Sequence, residues 1–468
     1  MRRVSRLADH GVLWWIVALA LGAFGGKNRR AAVRGIASLL LSSALANAVL
    51  KPLFPRRRPP ARTWLNPHRG VPIPRSSAFP SGHSASAAAF TTGVALESPV
   101  AGAAVAPLAA AVIYSRVHNG VHWPGDVVVG SLVGSAVALS TRRWWAVRDD
   151  EPAVTGPTQY APALPLGRGL VVFVNQGSGP EGQDITSTIA EYLPGADIVN
   201  LDADRDFAEQ IDDDIRKHQS ADGVQPRQAL GVCGGDGTVI VVADAAERHQ
   251  LPLAVFPGGT LNHFARDIGS AEVSHTAAAV EAGTAVAVDR ASVTTGSEDA
   301  DTHSFLNTSS LGGYPDAVRL RERWESRLGK WLAAALAMIR VLAAAKPLAV
   351  TIDGTPRRVW MLFVGNGRYS PGDQVPMSRP AITGRFLDVR YLRADRRFSR
   401  ARLLFAALTG TLRHSRVYQR TITSSVSVQV LGDSVALATD GEVVADAKSF
   451  MFVSHPQSLT VYRDADLG

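Results

Sequence analysis

The sequence predicts a multidomain chain: an all-α membrane-embedded helical bundle, an α/β doubly wound lobe, and a β-sandwich lobe. Three observations carry this expectation. Five apolar runs crowd into the first 150 residues with hardly an acid among them. After a proline-rich stretch, short apolar runs of buried-strand type alternate with helical stretches, and each ends in a glycine-rich turn. From about residue 290 the pattern becomes alternating and strand-dense. A chain of 468 residues, 46% hydrophobic and 19% charged, is long enough to build several cores.

The apolar runs fall at about 11–26, 35–50, 84–96, 99–114 and 127–140. Several are shorter than the roughly 20 residues a spanning helix needs, but five together would make an odd soluble bundle. Arg2, Arg3 and Arg6 precede the first run. No small-residue cleavage site follows it, so it reads as a retained membrane segment rather than a secretory signal. Lys27, Arg29, Arg30 and Arg34 lie between runs one and two, and Arg142, Arg143 and Arg148 follow run five. If all five span, both clusters share one face, which the positive-inside rule makes cytoplasmic. The arginines at 56–58, 62, 69 and 75 then fall on the opposite face, where binding phosphate is a reason for them to exist.

Residues 149–168 carry four prolines and no periodicity and read as a linker. Strands are expected at 169–174, 229–233 and 253–256, then at 348–353, 358–365, 386–393 and through 426–454, with a helical stretch at 317–345. The expected division is a bundle at 1–148, a linker at 149–168, an α/β lobe at 169–289 and a β lobe at 290–468 that returns to the first lobe at its C-terminus. Residues 1–148 have a net charge of +15 and the remainder −7. Basic loops beside apolar segments suit an anionic membrane surface or a lipid phosphate. Nucleic acid would call for basic stripes interleaved with aromatics, and none occurs. The single cysteine, Cys233, excludes an internal disulfide, fits a reducing compartment and ends an apolar run, which makes it a core residue.

Cleaving a phosphate monoester without a metal requires cations around the equatorial oxygens, a nucleophile at phosphorus and an acid for the leaving alkoxide. Three segments supply them: Lys51 to Pro59 (KPLFPRRRP), Pro80 to His83 (PSGH) and Ser115 to Asp126 (SRVHNGVHWPGD). Lys51, Arg58 and Arg116 can neutralise the phosphoryl group, and Ser81 and the Gly82 amide add donors at the start of the third helix. The four-residue spacing lets Asp126 hold one ring nitrogen of His122 so that the other attacks phosphorus. His83 then protonates the leaving oxygen. These residues resemble the type-2 phosphatidic acid phosphatase family, related to vanadium-dependent haloperoxidases. The resemblance implies a phosphohistidine on His122, His83 as acid and base, no metal, and usually six helices where five are visible. His118 receives no role.

The turn Gly234, Gly235, Asp236, Gly237, Thr238 (GGDGT) follows one expected strand and precedes a helix-compatible run. Its glycines allow close approach of phosphate to backbone amides, and Asp236 can bind Mg²⁺ through water. With Pro257 to Arg266 (PGGTLNHFAR), Asn175 to Gly179 (NQGSG) and Asp440-Gly441-Glu442 (DGE), it resembles the diacylglycerol kinase catalytic family over roughly 169–465. That resemblance implies ATP and Mg²⁺, a lipid hydroxyl such as that of diacylglycerol as acceptor, Asp440 as base and Glu442 in support. It places Asn175, Gly234, Gly235, Asp236, Gly237, Thr238, Gly258, Gly259, Thr260 and Asn262 at the nucleotide and metal. Two departures stand out. Ile240 and Val241, after Val239, stand where many relatives carry two polar residues, and Gly384 stands where bacterial relatives carry an Asp of a structural magnesium site.

The reading that follows is a multi-pass membrane enzyme with a cytoplasmic lipid kinase and a lipid-phosphate phosphatase facing the other side. Two alternatives stay open. One half is a silent anchor or a nucleotide- or lipid-sensing domain, or the kinase half acts on a soluble sugar or nucleotide, which the GGTLN element disfavours.

Overall fold

The computed structural model describes residues 11–60, 76–145, 147, 152–178, 185–220, 226–259, 262–296, 301–312, 346–372 and 378–465. The helix expected over 317–345 lies outside these, as do Thr260 and Gly179. The chain divides into two units, 1–150 and 151–468.

The first unit is helical: α1 (Val12–Gly22), α2 (Gly26–Ala44), α3 (Gly82–Glu97), α4 (Pro99–His118) and α5 (Pro124–Ser140). Helix α2 runs on through a π-helical turn to Leu53. The stretches 26–53, 99–118 and 124–143 are long and apolar enough to cross a bilayer; α1 has 11 residues and α3 has 16. Helix α3 is the hub, packed against α2, α4 and α5, with Phe90 and Val94 in a core that includes Trp14, Ala31 and Val112. Small residues let the backbones approach: a Cβ on Gly130 or Gly134 of α5 would strike the backbone of Ser81 or Ala85. This contact seats the PSGH segment directly on α5.

The structure revises the expected basic loop between the first two segments. Lys27, Arg29, Arg30 and Arg34 stand inside α2, since Lys and Arg favour a helix and Arg34 has an internal partner. Fully buried, Arg34 donates from Nε to Glu97 Oε1 (2.7 Å), from Nη1 to Thr141 Oγ1 (3.0 Å) and from Nη2 to the Trp145 carbonyl (2.7 Å). The one acid between Asp9 and Asp126 is therefore a lock for α2, α3 and the end of α5.

In the second unit, residues 152–168, expected as linker, are instead a strap held on this unit. Ala153 donates to the Asp267 carbonyl (2.7 Å), Val154 to Pro380 (2.9 Å), and Arg463 Nη1 donates to the Ala153 carbonyl (2.9 Å). Strand β1 (Thr158–Tyr160) pairs antiparallel with β6 (Thr284–Thr295). Only three residues of strand among prolines produce no periodicity, which is why the stretch reads as unstructured.

Strands β2 (Leu170–Val174), β3 (Asp197–Asn200), β4 (Ala229–Gly234) and β5 (Leu253–Pro257) are parallel in the order β3-β2-β4-β5. They alternate with α6 (Ile185–Tyr192), α7 (Phe207–Ser220) and α8 (Asp236–Arg248), then α9 (His263–Asp267) and α10 (Val273–Ala282). β2 and β4 are buried at every position, as strands covered on both faces must be. The remaining strands are antiparallel except where β16 meets β5: β7 (Thr302–Phe305), β8 (Thr308–Gly312), β9 (Leu348–Ile352), β10 (Thr355–Asn366), β11 (Leu387–Arg393), β12 (Tyr418–Thr423), β13 (Ser425–Val430), β14 (Val435–Thr439), β15 (Glu442–Ala447) and β16 (Ser449–Tyr462). One helix, α11 (Ser399–Thr409), lies between β11 and β12. The last strand, β16, pairs with β6 along its length and joins β5 in parallel at Val461 and Leu253, which ties the two lobes into one hydrogen-bonded sheet. β6 begins at Thr284, so the expected lobe boundary at 289 falls inside a strand.

Candidate active sites

In the first unit, four chain segments converge at one end of the bundle. Lys51 ends the α2 extension, Ser81 caps α3, Arg116 lies in the last turn of α4, and His122 and Asp126 bracket the start of α5. Ser81 and Arg116 are buried, at 0% and 4% exposure, and His122 is at 4%. Lys51 Nζ donates to Asn47 Oδ1 (2.6 Å), one helical turn back. Arg58 Nη1 donates to the Val121 carbonyl (2.8 Å) and stands 3.2 Å from His122 Nε2.

The ring of His122 is held differently from the expectation. Its Nδ1 lies 2.7 Å from the Ala78 carbonyl, whereas Asp126 Oδ2 is 3.8 Å away, beyond hydrogen-bond reach. A carbonyl can only accept, so Nδ1 carries the proton and Nε2 presents its lone pair. Asp126 instead accepts from the Trp123 amide (2.9 Å) and from Arg56 Nη1 (2.9 Å), serving as the anchor of the α5 N-terminus. Pro124 and Trp123 turn the chain so that the four-residue spacing is not one helical turn. Burial, reinforced by Arg58, Lys51 and Arg116, pushes the His122 imidazole down to about 3, so it is neutral at physiological pH. The sequence reading omitted Asn47 and the Ala78 carbonyl, and it offered Arg56 phosphate binding rather than the Asp126 pairing seen here. Arg56 sits in the visible RRR run, but the carbonyl has no side-chain signature.

In the second unit, the two glycine-rich turns stack. A Cβ on Gly259 would fall 2.6 Å from Gly235 Cα, and one on Gly258 would fall 2.5 Å from Gly234 N. Gly235 caps α8, whose first residues are Asp236, Gly237 and Thr238, so the helix N-terminus opens at the turn. A Cβ on Gly237 would collide with the Glu442 carboxylate. Asn175 Nδ2 donates to Thr238 Oγ1 (2.9 Å), and Asn262 Oδ1 accepts from the Gly259 amide (2.7 Å). Both asparagines thus brace the turns, and the Gly259 amide is already engaged. Val239 packs into the core beneath α8, and Ile240 and Val241, partly buried, pack against the same core, which accommodates that departure.

Asp440, at a left-handed backbone position (φ 47°), accepts from the amides of Asn307 and Thr308 on Oδ1 and of Leu306 on Oδ2, each at 2.8 Å. A carboxylate has about four lone-pair sites, so three donors leave one on Oδ2. Burial pushes this carboxyl up to about 6, with the backbone amides opposing and Asp236 assisting. Asn307 is the hub that sequence reading missed. Its Nδ2 donates to Asp236 Oδ1 (3.3 Å), its Oδ1 accepts from Arg379 Nη2 (3.0 Å), and its carbonyl accepts from Tyr369 (2.9 Å). Arg379 also pairs with Asp267 (2.6 Å). These residues lie in a β-turn and a loop without a glycine-rich or acidic signature.

Asp236 Oδ1 accepts long bonds from the Phe264 amide and Asn307 Nδ2 (both 3.3 Å), and its Oδ2 accepts from the His263 amide (3.4 Å). Asp236 and the exposed Glu442 are oxygen donors of the kind that Mg²⁺ held with a nucleotide takes. A structural magnesium near Gly384 does not fit. Asp388, the remaining acid of that segment, receives Arg390 Nη2 (2.7 Å), Arg420 Nε (2.8 Å) and Nη2 (2.7 Å), and the Tyr369 amide (3.0 Å). Burial alone would raise this carboxyl, but Arg420 and Arg390 hold it below the usual range. Two guanidinium groups occupy both oxygens. The buried Cys233 thiol is pushed up to about 11 by burial, as befits a core residue.

The PAP2 superfamily model matches residues 32–150, and the diacylglycerol kinase catalytic domain model matches 169–293, ending before Asp440. Decaprenylphosphoryl-5-phosphoribose phosphatase of Mycobacterium tuberculosis (strain ATCC 25618 / H37Rv) is 36% identical over 141 residues, 29% of this chain and 73% of that protein. Undecaprenyl-diphosphatase of Sulfolobus acidocaldarius is 32% identical over 130 residues, 27% of this chain and 60% of that protein. Among solved structures, a diacylglycerol kinase from Bacillus anthracis str. Sterne aligns with a TM-score of 0.43 at 16% identity, covering 64% of this chain and 98% of that one. The chain therefore belongs to the PAP2 superfamily through its helical unit and carries a diacylglycerol kinase catalytic domain fused behind it, a lipid phosphatase and a lipid kinase in one polypeptide.

Proposed function

We propose that both halves are active, the first hydrolysing a lipid monophosphate through a phosphohistidine and the second phosphorylating a lipid hydroxyl with ATP. The observation that carries the phosphatase reading is the His122 ring, neutral, with Nδ1 spent on Ala78 and Nε2 facing Arg58 at 3.2 Å. Nε2 attacks phosphorus; the P–O bond to the lipid breaks as His83 gives its proton to the leaving oxygen. Water, deprotonated by His83, then attacks phosphorus and releases His122. Lys51, Arg58, Arg116, Ser81 and the Gly82 amide hold the phosphoryl oxygens throughout. The named relatives act on polyprenyl-linked phosphates, which favours a polyprenyl phosphate as substrate.

In the second half, Mg²⁺ when bound neutralises the phosphates of ATP. Asp236, the α8 N-terminus and Glu442 orient them, and Asp440 takes the proton of the attacking lipid hydroxyl on its remaining Oδ2 lone pair. Diacylglycerol is the acceptor the family favours. A need for ATP supports a cytoplasmic kinase, and the basic residues at the Arg34 end of the bundle support a phosphatase site on the opposite face.

The test is to supply detergent-purified chain with γ-labelled Mg-ATP and a total membrane lipid extract, comparing wild type, Asp440→Asn and His122→Ala. Labelled lipid that disappears in Asp440→Asn establishes the kinase, and extra label in His122→Ala shows that the phosphatase consumes the same product. No label in wild type or His122→Ala would leave a phosphatase joined to a nucleotide-sensing domain.

A further inference from the structure

Among the described residues, helix α11 buries one apolar face and leaves another exposed. Its Ser399, Leu403 and Ala406 are buried against the second unit. On the opposite side Leu404 and Phe405 are 62% and 66% exposed, and Phe398, just before the helix at φ 57°, is 66% exposed. At 100° per residue, Ala401, Leu404 and Phe405 form the outward stripe, and the exposed Arg400 and Arg402 flank it on either side. Arg396 and Arg397 are exposed at its N-terminal end, and Arg413 and Arg416 follow its C-terminal end. Between 394 and 416 there are six arginines and one acid, Asp395, which is already paired with Arg393. An apolar stripe bordered by guanidinium groups is the surface a bilayer interface takes up: the rings enter the acyl boundary while the arginines reach lipid phosphates.

We propose that α11 with Phe398 docks the kinase unit on an anionic membrane surface. Charge complementarity selects the occupant. A protein partner would need an acidic groove around an apolar strip, whereas an anionic bilayer supplies both, and the helices of the first unit keep one at hand. The docking surface does not depend on which lipid the kinase phosphorylates or on whether it is active.

Cys233 is buried, so a bimane label on full-length Phe405→Cys reports this face alone; Val444→Cys, exposed elsewhere on the unit, is the control. Both are reconstituted into phosphatidylcholine vesicles with or without phosphatidylglycerol, with brominated acyl chains as quencher. The expected result is quenching at position 405 and not at 444, stronger with phosphatidylglycerol and lost in high salt or in R396Q/R397Q/R400Q/R402Q. Equal quenching at both positions, or none at 405, overturns the proposal. So does shielding at 405 that persists in detergent and grows with protein concentration, because that marks a contact between copies. Should the fourfold variant fail to fold, Phe405→Cys with Leu404→Ser is expected to lose quenching with the arginines intact.

Discussion

The two active sites handle the same group, a phosphoryl attached to a lipid, with opposite electrostatics. At the helical site the chain supplies the positive charge itself: Lys51, Arg56, Arg58 and Arg116 cluster around His122 and Asp126. At the kinase site it gathers carboxylates, Asp236, Asp440 and Glu442, and leaves the positive charge to be brought in with the nucleotide. The proposed nucleophile of the first, His122, is an imidazole held neutral by burial and neighbouring cations. The proposed base of the second, Asp440, is a carboxyl raised by burial and a neighbouring acid. The first shift keeps His122 neutral near pH 7, and the second makes Asp440 more basic while leaving it mostly deprotonated there.

The largest effect that would break this comparison is on the nucleophile. His122→Ala should lower lipid phosphate hydrolysis by on the order of 10⁴-fold and leave ATP-dependent lipid labelling unchanged, because the residue makes the only covalent bond of that half. A residual rate within tenfold of wild type would remove the phosphohistidine. Asp440→Asn should lower lipid phosphorylation by about 10²–10⁴-fold with hydrolysis intact.

Chelation sharpens the contrast. Excess EDTA should abolish kinase turnover while phosphate release persists, measured on the same preparation. With Asp388 clamped by Arg390 and Arg420, EDTA should also leave the melting temperature of the nucleotide-free chain unchanged. Loss of both activities together would mean that the cations of the helical site are insufficient.

The pH dependence has a definite sign. Asp440, raised to about 6, must be deprotonated to act, so kinase kcat/KM should fall roughly tenfold per unit below pH 6. His122, lowered to about 3, stays neutral over that range, so the ratio of hydrolysis to phosphorylation should rise as the pH drops from 7 to 5. The smallest expected effects belong to positioning residues. Asn307→Ala, which unties Asp236 from Arg379, should cost the kinase about 10–100-fold. Asp126→Asn should cost the phosphatase about as much through the loss of the Arg56 pair, and Arg56→Ala should reproduce it.

Much of this was legible because the chemistry sits on local signals. Apolar runs declared the helices, glycine-rich turns after buried strands declared the α/β lobe, and the cation and histidine spacings drew the helical site. What was not legible came from contacts between distant segments. The strap at 152–168 owes its order to β6, Pro380 and Arg463, none of which its own composition reveals. Arg34 read as a loop charge because its partner Glu97 is 63 residues away.

The sequence by itself determined the element types and the two families and nominated the candidate reactive groups, since residue chemistry and short-range periodicity suffice for these. Only the tertiary structure decided which atom does what. It gave the His122 Nδ1 proton to the Ala78 carbonyl and moved Asp126 to Arg56. It made Asn307 the bridge between the carboxylates and replaced a metal by two arginines at Asp388. Hydrogen-bond partners depend on ångström-scale approach between segments far apart in the chain, and a carbonyl that accepts a hydrogen bond from a candidate nucleophile carries no mark in the residue that owns it.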